Sequence, residues 1–271
     1  MIQKKLNIVL TGNPNSGKSS LFNALTGLNQ KVGNFPGVTV DKKTGVFNID
    51  ETSVELIDLP GTYSLYPRRA DEWIAYSVLM GLDEEVKPDL ILVVLDASNL
   101  KRNLLFCSQV MGLKIPVVAA LTMTDIAATK NIKIDINGLQ QQLGIPIVAV
   151  NPRKNKGLVQ LKKVIVQSTK QKASIIKDDF IDIKKLAVDA IAEFQKIIPL
   201  NDYKSLHYLI NHEEFGLDKS IQAKIEDAVI KTNFNATKTQ AEEVIGRYQR
   251  IKQIMQLNVT EPNPLDRKSV V

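Results

Sequence analysis

The sequence predicts an α/β protein in which a doubly wound, mostly parallel sheet is followed by a small all-α helical domain. Short apolar runs alternate with segments of helical spacing through the first 170 residues, which is the pattern of a sheet covered by helices. Residues 90–95 are apolar throughout, as expected for a strand that is buried on both faces. Beyond residue 170 strand-like runs disappear, and apolar residues recur at helical spacing.

The elements of the sheet region follow from these two periodicities. Apolar runs predict strands at residues 6–10, 54–59, 90–95, 117–121 and 147–150, with an edge strand at 40–48. Helical spacing predicts helices that begin at residue 20 and span 71–82, 100–113, 136–143 and 157–167. Residues 30–39 are polar and punctuated by glycine and proline, so they are predicted as a loop.

A bundle of about four helices is predicted for the second part of the chain. One apolar stripe consists of Ala187, Ile191, Phe194 and Ile198, and further helices are predicted at residues 203–209, 221–230 and 241–255. The boundary is placed in the polar stretch 167–177, which gives a first domain of residues 1–170 and a helical domain of residues 171–271. The tail from residue 258 has no periodicity and contains prolines, so it is expected to be loosely held.

Composition indicates a soluble, cytosolic globular protein. The 271 residues are 44% hydrophobic and 24% charged, and no apolar run reaches the roughly 18 residues that a membrane span needs. No signal peptide is expected, and the single cysteine, Cys107, lies in an apolar helical stretch where it should be inert. The net charge of +6 comes from dispersed lysines without interleaved aromatics, which argues against nucleic acid as a partner.

A phosphate-binding pattern lies between the first predicted strand and the first predicted helix. It matches G-x-x-x-x-G-K-[ST], with one more serine after it, over Gly12, Asn13, Pro14, Asn15, Ser16, Gly17, Lys18, Ser19 and Ser20. The amides of such a loop and of the helix N-terminus converge on one anion. We therefore predict a nucleoside triphosphate site in which Lys18 meets the β and γ phosphates and Ser19 binds Mg²⁺.

A D-x-x-G element ends the strand predicted at residues 54–59. It consists of Asp58, Leu59, Pro60 and Gly61. Asp58 is well placed to hold Mg²⁺ through water, although an aspartate before a proline can also simply cap a turn. The Gly61 amide is expected to sense the γ phosphate.

A candidate switch threonine lies between these two motifs, in the segment Gly37, Val38 and Thr39. The Thr39 hydroxyl would bind Mg²⁺ only while a triphosphate is present. The P-loop, the switch threonine and the D-x-x-G element together resemble the small GTPases, which implies a P-loop GTPase-like fold and GTP or GDP as the ligand.

The base-reading segments depart from the pattern of that group. In place of N-x-x-D the chain has Thr122, Met123, Thr124 and Asp125. Asp125 keeps the carboxylate that pairs with guanine N1–H and N2–H, but Thr122 cannot supply the usual amide contacts. The later segment is Asn151, Pro152 and Arg153, and Pro152 has no N–H to offer guanine O6, so Asn151 or the Arg153 backbone would have to compensate. We expect a weaker nucleotide affinity than that of a standard site.

One family matches more closely. Residues 12–20, 34–40, 58–65 and 96–104, together with 242–248 and 266–268, resemble the cytosolic part of the ferrous iron transport protein B (FeoB) family. The resemblance covers the whole chain and implies a GTP-binding G domain followed by a helical domain like a guanine-nucleotide dissociation inhibitor. It also implies a membrane domain as partner, absent from this sequence, and a location at the cytoplasmic face of the inner membrane.

The same resemblance implies a role for Asn15. Relatives with asparagine at this position are potassium-activated, and the bound K⁺ offsets charge that develops during phosphoryl transfer. A loop-shaping role for Asn15 stays open. Thr62 follows Gly61, where many GTPases have a water-orienting glutamine, so intrinsic hydrolysis should be slow. The catalytic set is thus Asn15, Lys18, Thr39 and Gly61, with Asn15 as the K⁺ ligand.

Two other functions remain open: a soluble GTPase of another class, such as a ribosome-assembly factor, and a nucleotide-binding scaffold with negligible hydrolysis. A homo-oligomer is also left open. Arg68 and Arg69 are interpreted as solvated rather than phosphate-binding residues. His207 and His212 stand five residues apart without cysteines, so they are predicted to be solvated helix-end residues rather than a metal site.

Overall fold

A computed structural model describes residues 5–27, 30–35, 40–171 and 178–262. The chain divides into two compact units, one made of Met1–Ile176 with Ile251–Val271 and the other of Lys177–Arg250. Sequence analysis places all of residues 171–271 in the helical domain. The structure instead groups the residues from Ile251 onward with the first unit, because the strand near the end of the described chain pairs within that unit.

The first unit is a sheet covered by helices. Its strands are β1 (Lys5–Gly12), β2 (Gln30–Asn34), β3 (Asp41–Ile49), β4 (Thr52–Asp58), β5 (Leu90–Asp96), β6 (Val117–Thr122), β7 (Lys133–Ile134), β8 (Ile147–Ala149) and β9 (Val259–Thr260). Its helices are α1 (Lys18–Thr26), α2 (Ala70–Met80), α3 (Leu100–Gly112), α4 (Thr124–Thr129), α5 (Ile136–Leu143) and α6 (Leu158–Gln171). These elements confirm the predicted alternation of strands and helices.

The main sheet is mostly parallel, as predicted. Its seven strands run in the order β2-β3-β4-β1-β5-β6-β8. The strands from β4 to β8 in this order are parallel, whereas β3 pairs antiparallel with both β2 and β4. The carboxyl ends of the parallel strands therefore lie at one edge of the sheet, where α/β proteins of this kind bind their ligands.

The core of the first unit lies on both faces of the central strands. Ile8 and Leu92 point into one buried cluster, which includes Leu161 of α6. Neighbouring residues such as Val93 are equally buried on the opposite face, because side chains alternate along a strand. Cys107 of α3 is fully buried, and burial raises the pKa of its thiol to about 12, in agreement with the predicted inert core position.

Two predictions for residues 30–48 are wrong. Gln30–Asn34 forms strand β2 instead of a loop, and β3 is consequently covered by β2 and does not lie at the edge of the sheet. All five residues of β2 are exposed, so the strand has no hydrophobic alternation to reveal it. Its pairing with β3 comes from backbone hydrogen bonds, which side-chain patterns do not report.

The described residues 258–262 are also more ordered than predicted for the tail. Asn258 is buried, and β9 pairs antiparallel with β7. The Asp135 amide donates to the Asn258 carbonyl oxygen at 2.8 Å, which continues this pairing into the start of α5. The short length of both strands explains why their sequences carry no periodic signal.

The second unit is helical. Its helices are α7 (Val188–Ile197), α8 (Asp202–Asn211), α9 (Lys219–Lys231) and the part of α10 (Ala236–Asn258) that precedes Ile251. Phe194, Leu206 and Ile225 are buried in its core. Among the described residues, no helix is long and apolar enough to cross a membrane.

Charged and titratable side chains are also buried in this second unit. Glu243 and Arg247 form a buried ion pair one helical turn apart, and the Arg247 guanidinium lies 4.7 Å from the ring centre of Tyr203. His207 packs edge-on against the same ring, and His212 is buried as well. The prediction that both histidines are solvated is therefore wrong. The described residues contain no cluster of histidine, cysteine or acidic side chains that could hold a metal ion.

Candidate nucleotide-binding site

A cavity of about 680 Å³ opens at the carboxyl edge of the parallel strands. Segments that follow β1, β4, β6 and β8 line it, together with the start of α2. The lining residues are Asn13, Pro14, Asn15, Gly17, Lys18, Ser19, Ser20, Gly61, Arg69, Asp71, Thr122, Met123, Asp125, Ile126, Asn151, Pro152 and Arg153. The cavity thus joins segments that are far apart in the sequence.

The loop between β1 and α1 forms one end of the cavity. Asn15 (φ 64°) and Gly17 (φ 89°) adopt the left-handed conformation, which asparagine tolerates and glycine favours. Gly17 is the N-cap of α1 and has no side chain to cap it, so amides of the first turn are left for another acceptor. These amides and the positive end of the helix dipole make the loop a site for an anion.

Lys18 and Asp58 form an ion pair at the base of this loop. The Lys18 Nζ lies 2.5 Å from Asp58 Oδ1, and both side chains are largely buried. Burial raises the pKa of Asp58, and the charges of Lys18 and Lys43 together with the Lys18 hydrogen bond partly offset that rise. A second cation near Asp58 would favour its ionised form further.

The D-x-x-G element packs directly against the P-loop. The Thr62 amide donates to the Gly12 carbonyl oxygen at 3.2 Å. A Cβ atom at Gly61 would lie 3.1 Å from the Pro14 Cα, so only glycine fits here without displacing the loop. Gly61 lines the same cavity as the loop residues.

Thr122 links the end of β6 to the P-loop. Its Oγ1 lies 2.6 Å from the Ser16 carbonyl oxygen and 3.0 Å from that of Leu95. A hydroxyl has one proton, so it can donate to only one of these carbonyls at a time. The sequence shows that Thr122 lacks the side-chain amide of the usual asparagine. In the structure its hydroxyl contacts the P-loop instead.

Asp125 and Asn151 meet at the other end of the cavity. Asn151 Nδ2 donates to Asp125 Oδ2 at 3.1 Å, while Asp125 Oδ1 accepts from the Ile126 amide at 3.0 Å. Asn151 Oδ1 accepts from the Lys154 amide at 3.2 Å and so caps the turn that begins at Pro152. This arrangement fixes the Asp125 carboxylate while leaving the residue exposed to the cavity.

Some predicted site residues do not line the cavity, although they lie in the described part of the chain. They are Gly12, Ser16, Asp58, Leu59, Pro60 and Thr124. Leu59 is fully buried in the core, whereas Asp58 is in contact with the cavity-lining Lys18. The predicted switch residues Gly37, Val38 and Thr39 lie outside the described residues.

Three lining residues were not predicted as site residues: Arg69, Asp71 and Ile126. Arg69 is exposed and pairs with Asp71 and Glu72 at 3.2 and 3.4 Å. Ile126 could have been found from its position directly after Asp125. No sequence signal marks Asp71, because its place depends on how α2 begins.

The donors near Lys18 suit a Mg²⁺ ion. Ser19, a hydroxyl residue, lines the cavity, and the buried Asp58 carboxylate contacts the cavity-lining Lys18. Both are oxygen ligands, which Mg²⁺ prefers, and Mg²⁺ needs few protein ligands because it keeps several waters. The residues present therefore fit this ion.

The fold and the site define a P-loop protein of the GTPase type. A strand, a glycine loop and a helix form the phosphate end, D-x-x-G packs against it, and an aspartate lies at the base end. The family model described as "Ferrous iron transport protein B" matches residues 6–165, and the chain belongs to that family.

Two curated relatives carry the name "Fe(2+) transporter FeoB". The protein of Leptospira biflexa is 45% identical over 162 residues, which cover 60% of this chain and 23% of the relative. That of Escherichia coli K12 is 46% identical over 166 residues, which cover 60% of this chain and 21% of the relative. The matched region spans less than a quarter of the length of these relatives.

Solved structures of this family cover nearly the whole chain. The apo cytosolic domain of the T. maritima FeoB iron transporter is 29% identical, with a TM-score of 0.78 over 94% of this chain and 100% of that one. A GDP-bound variant of the S. thermophilus FeoB G-domain is 33% identical, with a TM-score of 0.74 and the same coverage. The helical second unit is thus part of the shared fold.

Proposed function

We propose that this chain is the GTP-binding and GTP-hydrolysing regulatory region of a ferrous-iron membrane transporter. Family membership supports the proposal, and one observation carries it: a single cavity has Lys18 and Gly61 at one end and Asp125 at the other. Guanine offers two N–H donors to a carboxylate, while its phosphates need amides and a lysine. A related G-domain was solved with GDP bound.

Nucleotide binding would rearrange the Lys18–Asp58 pair. The phosphates would compete for Lys18, and the residues that would hold Mg²⁺ are then Ser19 and Thr39 through their hydroxyls and Asp58 through water. When bound, Mg²⁺ neutralises charge on the β and γ oxygens. The raised pKa of Asp58 supports this role, because a buried carboxylate gains most from a nearby cation.

Asn15 is the proposed K⁺ ligand. It is exposed at the phosphate end of the cavity, in a left-handed conformation. A cation held by its amide oxygen would stabilise the charge that develops on the transferring phosphoryl group. Hydrolysis should nevertheless be slow, because the Thr62 hydroxyl donates to the Ser64 carbonyl oxygen at 2.9 Å and is not available to orient water.

Guanine would be read by Asp125 with the help of Asn151. The Asn151 amide already donates to one Asp125 oxygen, so guanine and Asn151 must share the carboxylate. Pro152 contributes no amide. We infer a weaker nucleotide affinity than that of a site with the standard base-reading residues.

In the transporter, the proposed partner is a membrane domain, and this chain would lie at the cytoplasmic face of the inner membrane. The membrane domain would respond to whether GTP or GDP is bound. Ordering of the Thr39 segment with GTP, and its release after hydrolysis, is the proposed signal. A second copy of the chain, in a homo-oligomer, is proposed as a further partner. Nucleic acid is not proposed as a partner.

The test measures phosphate release from GTP in KCl and in NaCl, with wild type and Asn15→Ala. We expect turnover at least about tenfold faster in KCl for the wild type, since one stabilising charge contributes that much or more. Asn15→Ala should lose this difference but still bind GDP. Asn233→Ala is the matched control, because Asn233 also has a positive φ (50°) and lies in the second unit.

The outcomes separate the candidate functions. Equal turnover of the wild type in both salts would contradict the potassium role, and no turnover in either salt would favour a nucleotide-binding scaffold. A parallel titration measures how well ATP and GTP each displace a fluorescent GDP analogue from the protein. Displacement by ATP as effective as that by GTP would contradict guanine selection by Asp125.

A further inference from the structure

The segment that follows Gly61 is fastened at both ends. At its start, the Thr62 amide donates to the P-loop at Gly12. At its other end, Ser64 Oγ and the Leu65 amide both donate to Gln109 Oε1, at 3.1 and 2.9 Å. An amide oxygen has two lone pairs, so Gln109 can accept both hydrogen bonds together.

Gln109 lies on α3 and is fully buried. Arg102 lies seven residues earlier, two turns away on the same face of the helix. Its guanidinium is 3.7 Å from the ring centre of Tyr63, and its carbonyl oxygen is 3.4 Å from Asn13 Nδ2. One face of α3 therefore contacts the P-loop at Asn13 and the segment after D-x-x-G at residues 63–65.

Further bonds stiffen the segment between these two attachments. Thr62 Oγ1 donates to the Ser64 carbonyl oxygen at 2.9 Å, and the Tyr66 amide donates to Ser64 Oγ at 3.2 Å. The Ser64 hydroxyl is thus bonded on both sides, with Gln109 as its acceptor. Loss of Gln109 would remove one hydrogen bond from Ser64 and one from Leu65 together.

We propose that Gln109 is a positioning residue for GTP hydrolysis, which holds Ser64 and Leu65 so that Gly61 and Thr62 stay against the P-loop. The inference rests on the proposed function. Gln109 is not among the residues that line the cavity, and it acts through Ser64 and Leu65 of the segment after D-x-x-G. Its loss should change the rate of the chemical step and leave the phosphate and base contacts in place.

The decisive variant is Gln109→Met, which keeps the length of the side chain and removes the acceptor oxygen. We expect kcat for GTP to fall between about tenfold and a hundredfold, because small misplacements near reacting groups have effects of this size. The KM for GTP and the dissociation constant for a fluorescent GDP analogue should stay within about twofold, since uniform binding is unaffected.

Three further variants separate positioning from packing. Gln109→Glu keeps an acceptor oxygen whether or not it is ionised, and it should recover much of the kcat that Gln109→Met loses. Ser64→Ala removes one of the two donors and should have an intermediate effect. Gln140→Met is the matched control, because Gln140 Oε1 also accepts one backbone amide, that of Ile147 at 2.8 Å, away from the D-x-x-G segment.

Amide hydrogen exchange at Leu65 gives a readout that is independent of turnover. In Gln109→Met this amide loses its buried acceptor, and its exchange should become at least about tenfold faster. If wild type hydrolyses GTP and folded Gln109→Met has the same kcat, or loses affinity instead of rate, the inference is wrong. If wild type does not hydrolyse GTP, the proposed function is wrong. In that case Gln109 is not a positioning residue for hydrolysis, and slow exchange of the Leu65 amide in wild type would show only a structural contact.

Discussion

At the scale of single residues, Thr122 joins the end of β6 to the P-loop. Its hydroxyl is buried between the carbonyl oxygens of Ser16 and Leu95. A threonine has one donor where an asparagine would have two, so this junction is held by a single hydrogen bond at any moment. The bond to Ser16 also transmits any displacement of β6 to the P-loop.

Thr122→Val should weaken this junction with little change in shape. The buried carbonyls lose their donor, so we expect a loss of about 1–3 kcal/mol in the free energy of unfolding. GDP affinity should fall as well, because the P-loop loses a support. Urea unfolding and titration with a fluorescent GDP analogue measure both. Thr122→Ser keeps the hydroxyl and is the control. Equal stability of Thr122→Val and Thr122→Ser would contradict a stabilising role for the hydrogen bond of this hydroxyl.

The residue types at the site could be predicted from the sequence, but their hydrogen bonds could not. The motif identifies Lys18 and Asp58, and the departure at Thr122 is visible as a missing amide. The partner of the Thr122 hydroxyl depends on the spacing of β1, β5 and β6, which no local pattern contains. Gln109 had no motif at all, since its role comes from the fold of α3 against the segment after Gly61.

At the scale of elements, the sheet was predictable where side chains alternate or are wholly apolar. The buried strands β1, β5 and β6 carry that signal. Strand β2 does not, because both of its faces are exposed, and β9 is too short to show a period. These two strands are held by backbone pairing to a neighbour, which is a long-range property.

Gly138→Ala tests the contact between α5 and the end of α10. An added Cβ would lie 2.0 Å from Asn258 Oδ1 and 2.7 Å from Asp135 Oδ2. Helix propensity alone would make alanine stabilising by about 1 kcal/mol, so a net loss of stability must come from this clash. We expect a loss of about 1–3 kcal/mol, measured by urea unfolding.

Two further variants control this prediction. Asn258→Ala removes the clashing oxygen, so the double variant should be destabilised less than the sum of the single variants. Gly33→Ala is the matched control, because a Cβ there meets no described atom within 4 Å. A stabilised Gly138→Ala would mean that β9 and α10 can move away at little cost.

At the scale of the whole molecule, the buried His207 should make stability depend on pH. Burial is the main cause, and the charge of Arg247 the second, of a pKa of His207 lowered to about 3. The ordinary pKa in an unfolded chain is about 6.5. The folded state keeps the neutral ring, so the stabilisation is complete above about pH 6.5. It is lost as the pH falls towards 3, because the unfolded chain binds the proton first.

His207→Phe should remove this dependence. Between pH 7 and pH 5 the wild type should lose about 2 kcal/mol more than the variant, from 1.36 kcal/mol for each pH unit below the unfolded pKa. Chemical unfolding at a series of pH values gives the comparison. Between pH 7.5 and 8.5 the two curves should run parallel, and a parallel course down to pH 5 would contradict a titrating buried histidine.

Because Cys107 is buried, the folded protein should not react with thiol reagents. Only the thiolate reacts, and with a pKa of about 12 roughly one molecule in 10⁵ is ionised at pH 7. No native cysteine has to be removed before a dye is attached through Val32→Cys or Val46→Cys, at positions that are 59% and 49% exposed. In the unmodified chain, the rate at which Cys107 is labelled reports how often the core opens, because the buried thiol can react only then.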